Sequence, residues 1–540
     1  MVKILDSRLR GNDKKRLRIT IILFLGVFLI PLFAFAWSQD ETLFINSDYD
    51  LNGRNQMEVQ LLKTTNRLYF YVDKNWYQNF SQKSELDSKI YNLASDFEYK
   101  IYPNLVNLLG SEDNPGIDND SRIVIVLEPL KDGYGGYIQS GDEYPKKVYP
   151  NSNQGQIIYL NSNLITKADS NFLDYELAHE FTHLITLKQK PDSQTWFYEL
   201  MSEFAGQTIG VDTSQITKQR AQALMYSTEV NLLDWKNIDK DYGKIYLLAL
   251  YLKEQFGNQI FADVLKYPSS DALVSFNEVL KRKGTSFDEI YLNWLITNLY
   301  NTCDNNSTKY CYQDPSLKNF SVMAYSYYLP PLPRSSLLVS DYLYPWGGKW
   351  EKLNGGTGII SIQFNIPNET MISKIPYLVE NTSGRKSLYF IDFSKFNIQN
   401  IYIDGIGTNN IAIYFVPFLG NTNNTNKAYY FSWQATNMLK DSNNEQLLIE
   451  SLQQRIEELK RQLAQLQMQV ALQKTYQNNP SCSLFTSDLY YGMASNEVKC
   501  LHQFLANLGS DIYPEKLITG YFGPLTLAAV KRYQAMKGII

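Results

Sequence analysis

His179-Glu180-Phe181-Thr182-His183 places two of the chain's three histidines within five residues, while the third, His502, lies near the C-terminus. On a helix, positions i and i+4 share a face, so both imidazoles point the same way about one turn apart. That spacing suits two ligands of one tetrahedral Zn²⁺. Glu180 stands beside them, where a carboxylate can take a proton from a water activated by such an ion. The surroundings read as a helix. Phe172, Leu173, Leu177, Phe181, Leu184 and Ile185 make an apolar stripe over residues 171–187, with no Pro or Gly among them. Lys188, Lys190 and Pro191 then supply the cations and the proline that close a helix.

A catalytic zinc takes a third protein ligand and keeps its fourth position open. Trp196-Phe197-Tyr198-Glu199-Leu200-Met201-Ser202-Glu203-Phe204 offers two carboxylates at i and i+4 on a second predicted helix. HExxH followed closely by W-x-x-E-x-x-x-E resembles the gluzincin zinc metallopeptidases, in particular their aminopeptidase-like and hyicolysin-like branches. The resemblance implies an α+β zincin domain, Zn²⁺ held by His179, His183 and Glu199, and Glu180 as general base. Leu200 stands where those branches usually have glycine. A helix rotated by one turn would present Glu203 as the ligand instead.

The flanking segments extend the same resemblance. Arg122 to Leu127 is a β-branched run suited to a buried strand, Asp132 to Tyr137 a turn, and Gln156 to Asn161 a second strand. In zincins a strand just before the site helix forms the sheet edge along which substrate lies, so the 156–161 strand is the expected edge. Asp241 to Leu252 resembles the helix after the ligand glutamate, and related enzymes place a tyrosine hydroxyl near the oxyanion there. Tyr242 is the candidate; in a chain of 40 tyrosines, a packing role is the competing reading. Asp174 and Glu176 are candidates to orient a histidine's second ring nitrogen.

Residues 1–36 read as a signal peptide: Lys14 to Arg18 is basic, Ile19 to Phe33 apolar, and Ala34-Phe35-Ala36 an A-x-A cleavage site. An uncleaved membrane anchor is the alternative, because the apolar run approaches spanning length. Removing residues 1–36 takes away seven basic and two acidic residues, leaving 44 Lys+Arg against 53 Asp+Glu and a formal charge of −9. Such a balance excludes nucleic acid as a partner sought by bulk charge. The four cysteines form two local pairs, Cys303/Cys311 and Cys482/Cys500. In an exported chain they predict two disulfides rather than a thiolate zinc site, which lacks C-x-x-C spacing here.

The length suggests three or four domains: the region over 40–300 that the resemblance marks as a metallopeptidase, a β-rich region over 315–436, a helix over 444–475 and a tail domain over 482–540. The β-rich region carries short runs such as 358–364, 387–393 and 411–416 between Asn/Gly turns, which suggests a β-sandwich. Ile449, Leu452, Ile456, Leu459, Leu463, Leu466 and Val470 follow a heptad register. They read either as a coiled-coil dimer or as a solitary spacer helix. The tail resembles the small three-helix peptidoglycan-binding-like module, chiefly through Thr519-Gly520-Tyr521-Phe522-Gly523-Pro524-Leu525-Thr526 and Ala529-Val530-Lys531-Arg532-Tyr533-Gln534. His502 replaces that module's usual glutamine and is expected as a polar surface substitution.

Together these features imply a secreted, wall-associated zinc endopeptidase acting on protein or peptide. Its rivals are a non-enzymatic surface or adhesion protein with a structural zinc, and a peptidase of peptidoglycan cross-links. The tail bears on location rather than on the bond cleaved.

Overall fold

The computed structural model of the chain describes residues 37–539, except 166, 304–306, 368–371, 421–426, 439–448, positions scattered through 451–462, 464–484 and 486. The expected signal peptide and most of the heptad helix lie outside the described residues. The molecule is multidomain, with two β-rich parts, a helical region between them and a small tail.

The first part is a six-stranded sheet in the order β1-β2-β3-β4-β6-β5. The strands are β1 (Asp40–Phe44), β2 (Gln56–Thr64), β3 (Leu68–Asp73), β4 (Ile123–Glu128), β5 (Gly136–Ile138) and β6 (Ile157–Asn161). β4 is buried throughout, so its alternate residues feed two cores. Ile123, Ile125 and Leu127 face the helical core, while Val124 and Val126 face a layer containing Tyr71, Tyr137 and Tyr159. β6 pairs with β4 in parallel and with β5 in antiparallel. The expected 156–161 edge is therefore interior. The edge on this side is β5, in the segment read as a turn; its three residues, Gly136-Tyr137-Ile138, are too few to give a periodic signal.

Helix Ser170–Gln189 packs on that sheet, Thr195–Gly206 packs on it in turn, and Asp239–Phe256 joins Thr195–Gly206 to Ser214–Met225; these four carry the site. The second β-rich part is a sandwich. Its strands form layers of five and four that, among the described residues, meet in backbone pairing only at Ile406 and Asn410. Phe364, Phe415 and Trp433 interlock between the layers. The runs at 358–364, 387–393 and 411–416 are strands Gly358–Asn365, Lys386–Asp392 and Asn410–Phe415.

The sandwich does not stand apart from the helical region. Strand β7 (Glu229–Asn231) pairs with Gly347–Lys349, and that strand in turn with Phe418–Leu419. Trp346, Trp350 and Phe418 belong to the same core as the site helices. Trp350 Nε1 donates to the Leu295 carbonyl across the junction (2.9 Å).

In the tail, described helices Asn496–Asn507 and Pro524–Met536 enclose a small core of Leu505, Ile512, Tyr513 and Ala529. Among the described residues the tail has two α-helices rather than three. Gly509 and Gly520 adopt positive φ at the ends of a 510–519 segment that also contains Pro514 and runs through turns between the two helices. Cys303 and Cys311 are bonded to each other. Cys500 is also disulfide-bonded, while Cys482 lies outside the described residues. Helical positions described between 449 and 463 leave Ile449, Ile456, Leu459 and Leu463 exposed.

Candidate metal centre

The first site helix starts where the Asp169 carboxylate accepts from the Phe172 N–H (2.8 Å). It is buried on nearly every side, from Leu173 to Thr186. Its imidazoles meet at ring centroids 5.0 Å apart. The second helix, entered at the fully packed Trp196, brings Glu199 Oε2 to 3.4 Å from His179 Nε2 and 3.8 Å from His183 Nε2. One ligand atom from each of the three residues lies within 4.8 Å of the others. Atoms sharing a tetrahedral Zn²⁺ at about 2.1 Å lie roughly 3.4 Å apart, so the cluster is sized for one ion.

The donor chemistry fits as well. Burial pushes both imidazoles down to about 4, which keeps them neutral and able to ligate near pH 7. Glu199 Oε2 and Glu180 Oε2 are buried, and neither has a hydrogen-bond partner among the described residues. A buried ionised carboxylate left this way costs several kcal/mol unless a cation or a proton offsets it. Burial, reinforced by Glu176 and Glu199, raises Glu180 well above the usual carboxylate range.

Glu203 occupies a different environment. It is completely buried; one oxygen accepts from the Tyr175 hydroxyl, and the other lies 2.8 Å from Arg220 Nη2. Of the two glutamates proposed as third ligand, only Glu199 faces the histidines. The candidates for orienting a histidine also separate. Asp174 turns to Lys100 Nζ (3.2 Å). Glu176, which burial pushes up to about 7, lies against Gly135, where any Cβ would collide with its carboxylate.

Gly136 explains how the sheet edge reaches the site. A Cβ there would lie 2.8 Å from the Tyr159 carbonyl oxygen and 2.9 Å from Glu180 Cγ. Only glycine lets β5 pass this close to Glu180.

Tyr242 stands in the first turn of its helix and donates to Asn237 Oδ1 (2.7 Å). Its hydroxyl is raised by burial first, then by the charges of Glu199 and Glu180, which puts it within electrostatic reach of the cluster. Tyr49 feels the same two carboxylates, after burial and Tyr134. It stacks on Tyr137 (4.7 Å), which stacks on Tyr159 (4.5 Å). The sequence reading missed Tyr49 and Arg220. Tyr49 lies about 130 residues before the motif, and neither sits in a local pattern that could have marked it.

His502 is the clearest departure. It is fully buried, not a surface substitution. Its Nδ1 accepts from the N–H groups of Thr519 (3.1 Å) and Gly520 (3.2 Å), so Nε2 carries the proton and donates to Thr526 Oγ1 (2.7 Å).

Comparison with known proteins adds one family match. Residues 494–540 match the family described as "Putative peptidoglycan binding domain". No curated protein matches the chain. One similar solved structure is that of carbohydrate-binding modules from the β-sandwich superfamily (13% identity, TM-score 0.14, 19% of this chain and 54% of that one). Another holds the M60 catalytic domain with the CBM51-1 and CBM51-2 domains of Clostridium perfringens ZmpB (9% identity, TM-score 0.23, 71% and 60%). This chain thus spans less than two thirds of either. At such TM-scores the similarities define neither its fold nor its chemistry. Among the described residues no helix is long and apolar enough to cross a membrane.

Proposed function

We propose that this chain is a zinc-dependent endopeptidase of the gluzincin type, with His179, His183 and Glu199 holding the ion and Glu180 as general base. The observation that carries the reading is that one ligand atom from each of these three residues lies within 4.8 Å of the others, with Glu199 Oε2 buried and without a hydrogen-bond partner among the described residues. When bound, the ion supplies Lewis acidity, polarising a carbonyl and acidifying a water. Glu180 accepts the proton of the attacking water and returns it to the leaving amine. The Tyr242 hydroxyl exchanges Asn237 for the negative oxygen of the tetrahedral intermediate. An extended peptide adds to the free edge of β5, where Gly136 lets its scissile bond lie beside Glu180.

The match of residues 494–540 supports retention at the cell wall and an extracellular site of action. It leaves protein and wall peptides both open as substrates, and protein is favoured by the resemblance of the site region to general gluzincins.

The test is hydrolysis of casein by the mature chain beside Glu180→Gln, with zinc measured in both. Activity abolished in the variant at equal zinc content, a loss of about 10²–10⁴-fold, supports the reading. Equal inactivity of both zinc-loaded proteins on casein and on cross-linked wall peptides would favour the non-enzymatic alternative.

A further inference from the structure

Arg220 brings a positive charge to the site that the proposed reaction does not use. It comes from the third helix, outside every motif. Its guanidinium Nη2 lies 2.8 Å from Glu203 Oε1, and its central carbon lies 5.0 Å from the centroid of the Tyr242 ring. Glu203 follows Glu199 by one turn, so the helix that presents the third metal-facing side chain also anchors the arginine.

This arrangement is hard to displace. Glu203 is wholly buried, and a buried carboxylate deprived of its cation is strongly disfavoured. Arg220 is therefore held to it, and its planar guanidinium is left against an aromatic ring, a contact that a lysine ammonium reproduces poorly. Approach of the two helices depends on Gly243, the residue after Tyr242. A Cβ there would collide with the Arg220 carbonyl and press on Ala223.

Tyr242 is held from its other sides as well. The Trp235 ring meets it edge-on at 5.3 Å, and Asn237 takes its hydroxyl from a left-handed backbone conformation with φ of 59°. The loop carrying both is tied down by Lys244, whose Nζ donates to the Asn231 and Asp234 carbonyls and to Asp241. A tyrosine that only filled space would not need an arginine on its face, a tryptophan on its edge and a designated acceptor.

We propose that Arg220 is the positioning residue of Tyr242, with Glu203 fixing the guanidinium against the ring so that the hydroxyl is preset to serve the His179/His183/Glu199 cluster. The proposal rests on the peptidase reading for its purpose, but not for its geometry. Preorganising a donor before charge develops is what makes such a hydroxyl effective.

The experiment places 3-fluorotyrosine at position 242 of the mature chain and records ¹⁹F spectra with and without zinc. Arg220→Met, Arg220→Lys and Glu203→Gln are compared with the parent, and zinc affinity, melting temperature and casein kinetics are measured in parallel. The parent should give one narrow line. Arg220→Met should broaden or split it at unchanged zinc affinity, with kcat down about tenfold or more and KM within about twofold. Arg220→Lys should recover part of both effects, and Glu203→Gln should resemble a milder Arg220→Met. A narrow, unshifted line in folded Arg220→Met overturns the proposal. Should that variant not fold, a parent-like line and kcat in Arg220→Lys overturn it equally. A zinc-loaded parent that cleaves nothing would sink the peptidase reading, and the ¹⁹F comparison would still decide the positioning.

Discussion

His179 and His183 are buried beside carboxylate oxygens that accept no hydrogen bond, whereas His502 is buried with both ring nitrogens engaged. The first arrangement sets two imidazoles and a carboxylate close together without mutual hydrogen bonds, a donor set that a cation would satisfy. The second closes on itself: two backbone donors, one imidazole and one hydroxyl satisfy each other. Burial of a histidine thus says little; what its partners leave unsatisfied separates a candidate ligand from a structural pin. The two regions also differ in autonomy. The tail has its own core, while the site helices share theirs with the sandwich through Trp346, Trp350 and Phe418.

The strongest way to break the comparison is to remove one carboxylate at a time. Glu199→Ala should lower zinc affinity by more than about 100-fold, since orienting groups alone are worth roughly 10–100-fold. Its melting temperature without metal should stay near the parent's. Glu203→Ala should instead destabilise the fold by about 3–5 kcal/mol, because it strands Arg220, while the three metal-facing side chains remain. Zinc titration with calorimetry on both variants checks this, and zinc lost only in Glu203→Ala would reverse the assignment.

Autonomy is tested next. Trp346→Ala should cost about 3–5 kcal/mol and shift the main unfolding transition that includes the site helices. The transition of the tail should not move. Differential scanning calorimetry of the mature chain reads both, and a site region indifferent to Trp346 would mean that the shared core contributes little.

The smallest expected effect concerns acid. Burial lowers His502 from its ordinary 6.5, so the folded tail resists a proton that the unfolded tail accepts. Stability from this site is present above about pH 6.5 and is lost as pH falls toward the depressed value, by about 1.4 kcal/mol per unit of depression. Protonating Nδ1 would also oppose two N–H donors. His502→Gln should flatten that dependence in urea unfolding between pH 7 and 5, whereas an unchanged slope would locate the acid sensitivity elsewhere.

Periodic features were legible from residues alone. The HExxH helix was expected over 171–187 and runs from Ser170 to Gln189; the 358–364, 387–393 and 411–416 runs are all strands. Edge strand β5 was not legible, since three residues following Gly135 carry no alternation. Nor was the burial of His502, whose partners lie 17 to 24 residues away on a turn and another helix.

The sequence by itself determined that His179 and His183 share a helix face with Glu180 beside them, because helix pitch sets i, i+4 geometry whatever surrounds it. It also narrowed the candidate third ligand to Glu199 or Glu203, which lie one turn apart on the next helix. Only the tertiary structure separated those two glutamates, turned β5 rather than β6 toward Glu180, and set Arg220 on Tyr242. Each of those outcomes depends on which helix or strand packs alongside, and contacts between distant segments leave no periodic trace in the segments themselves.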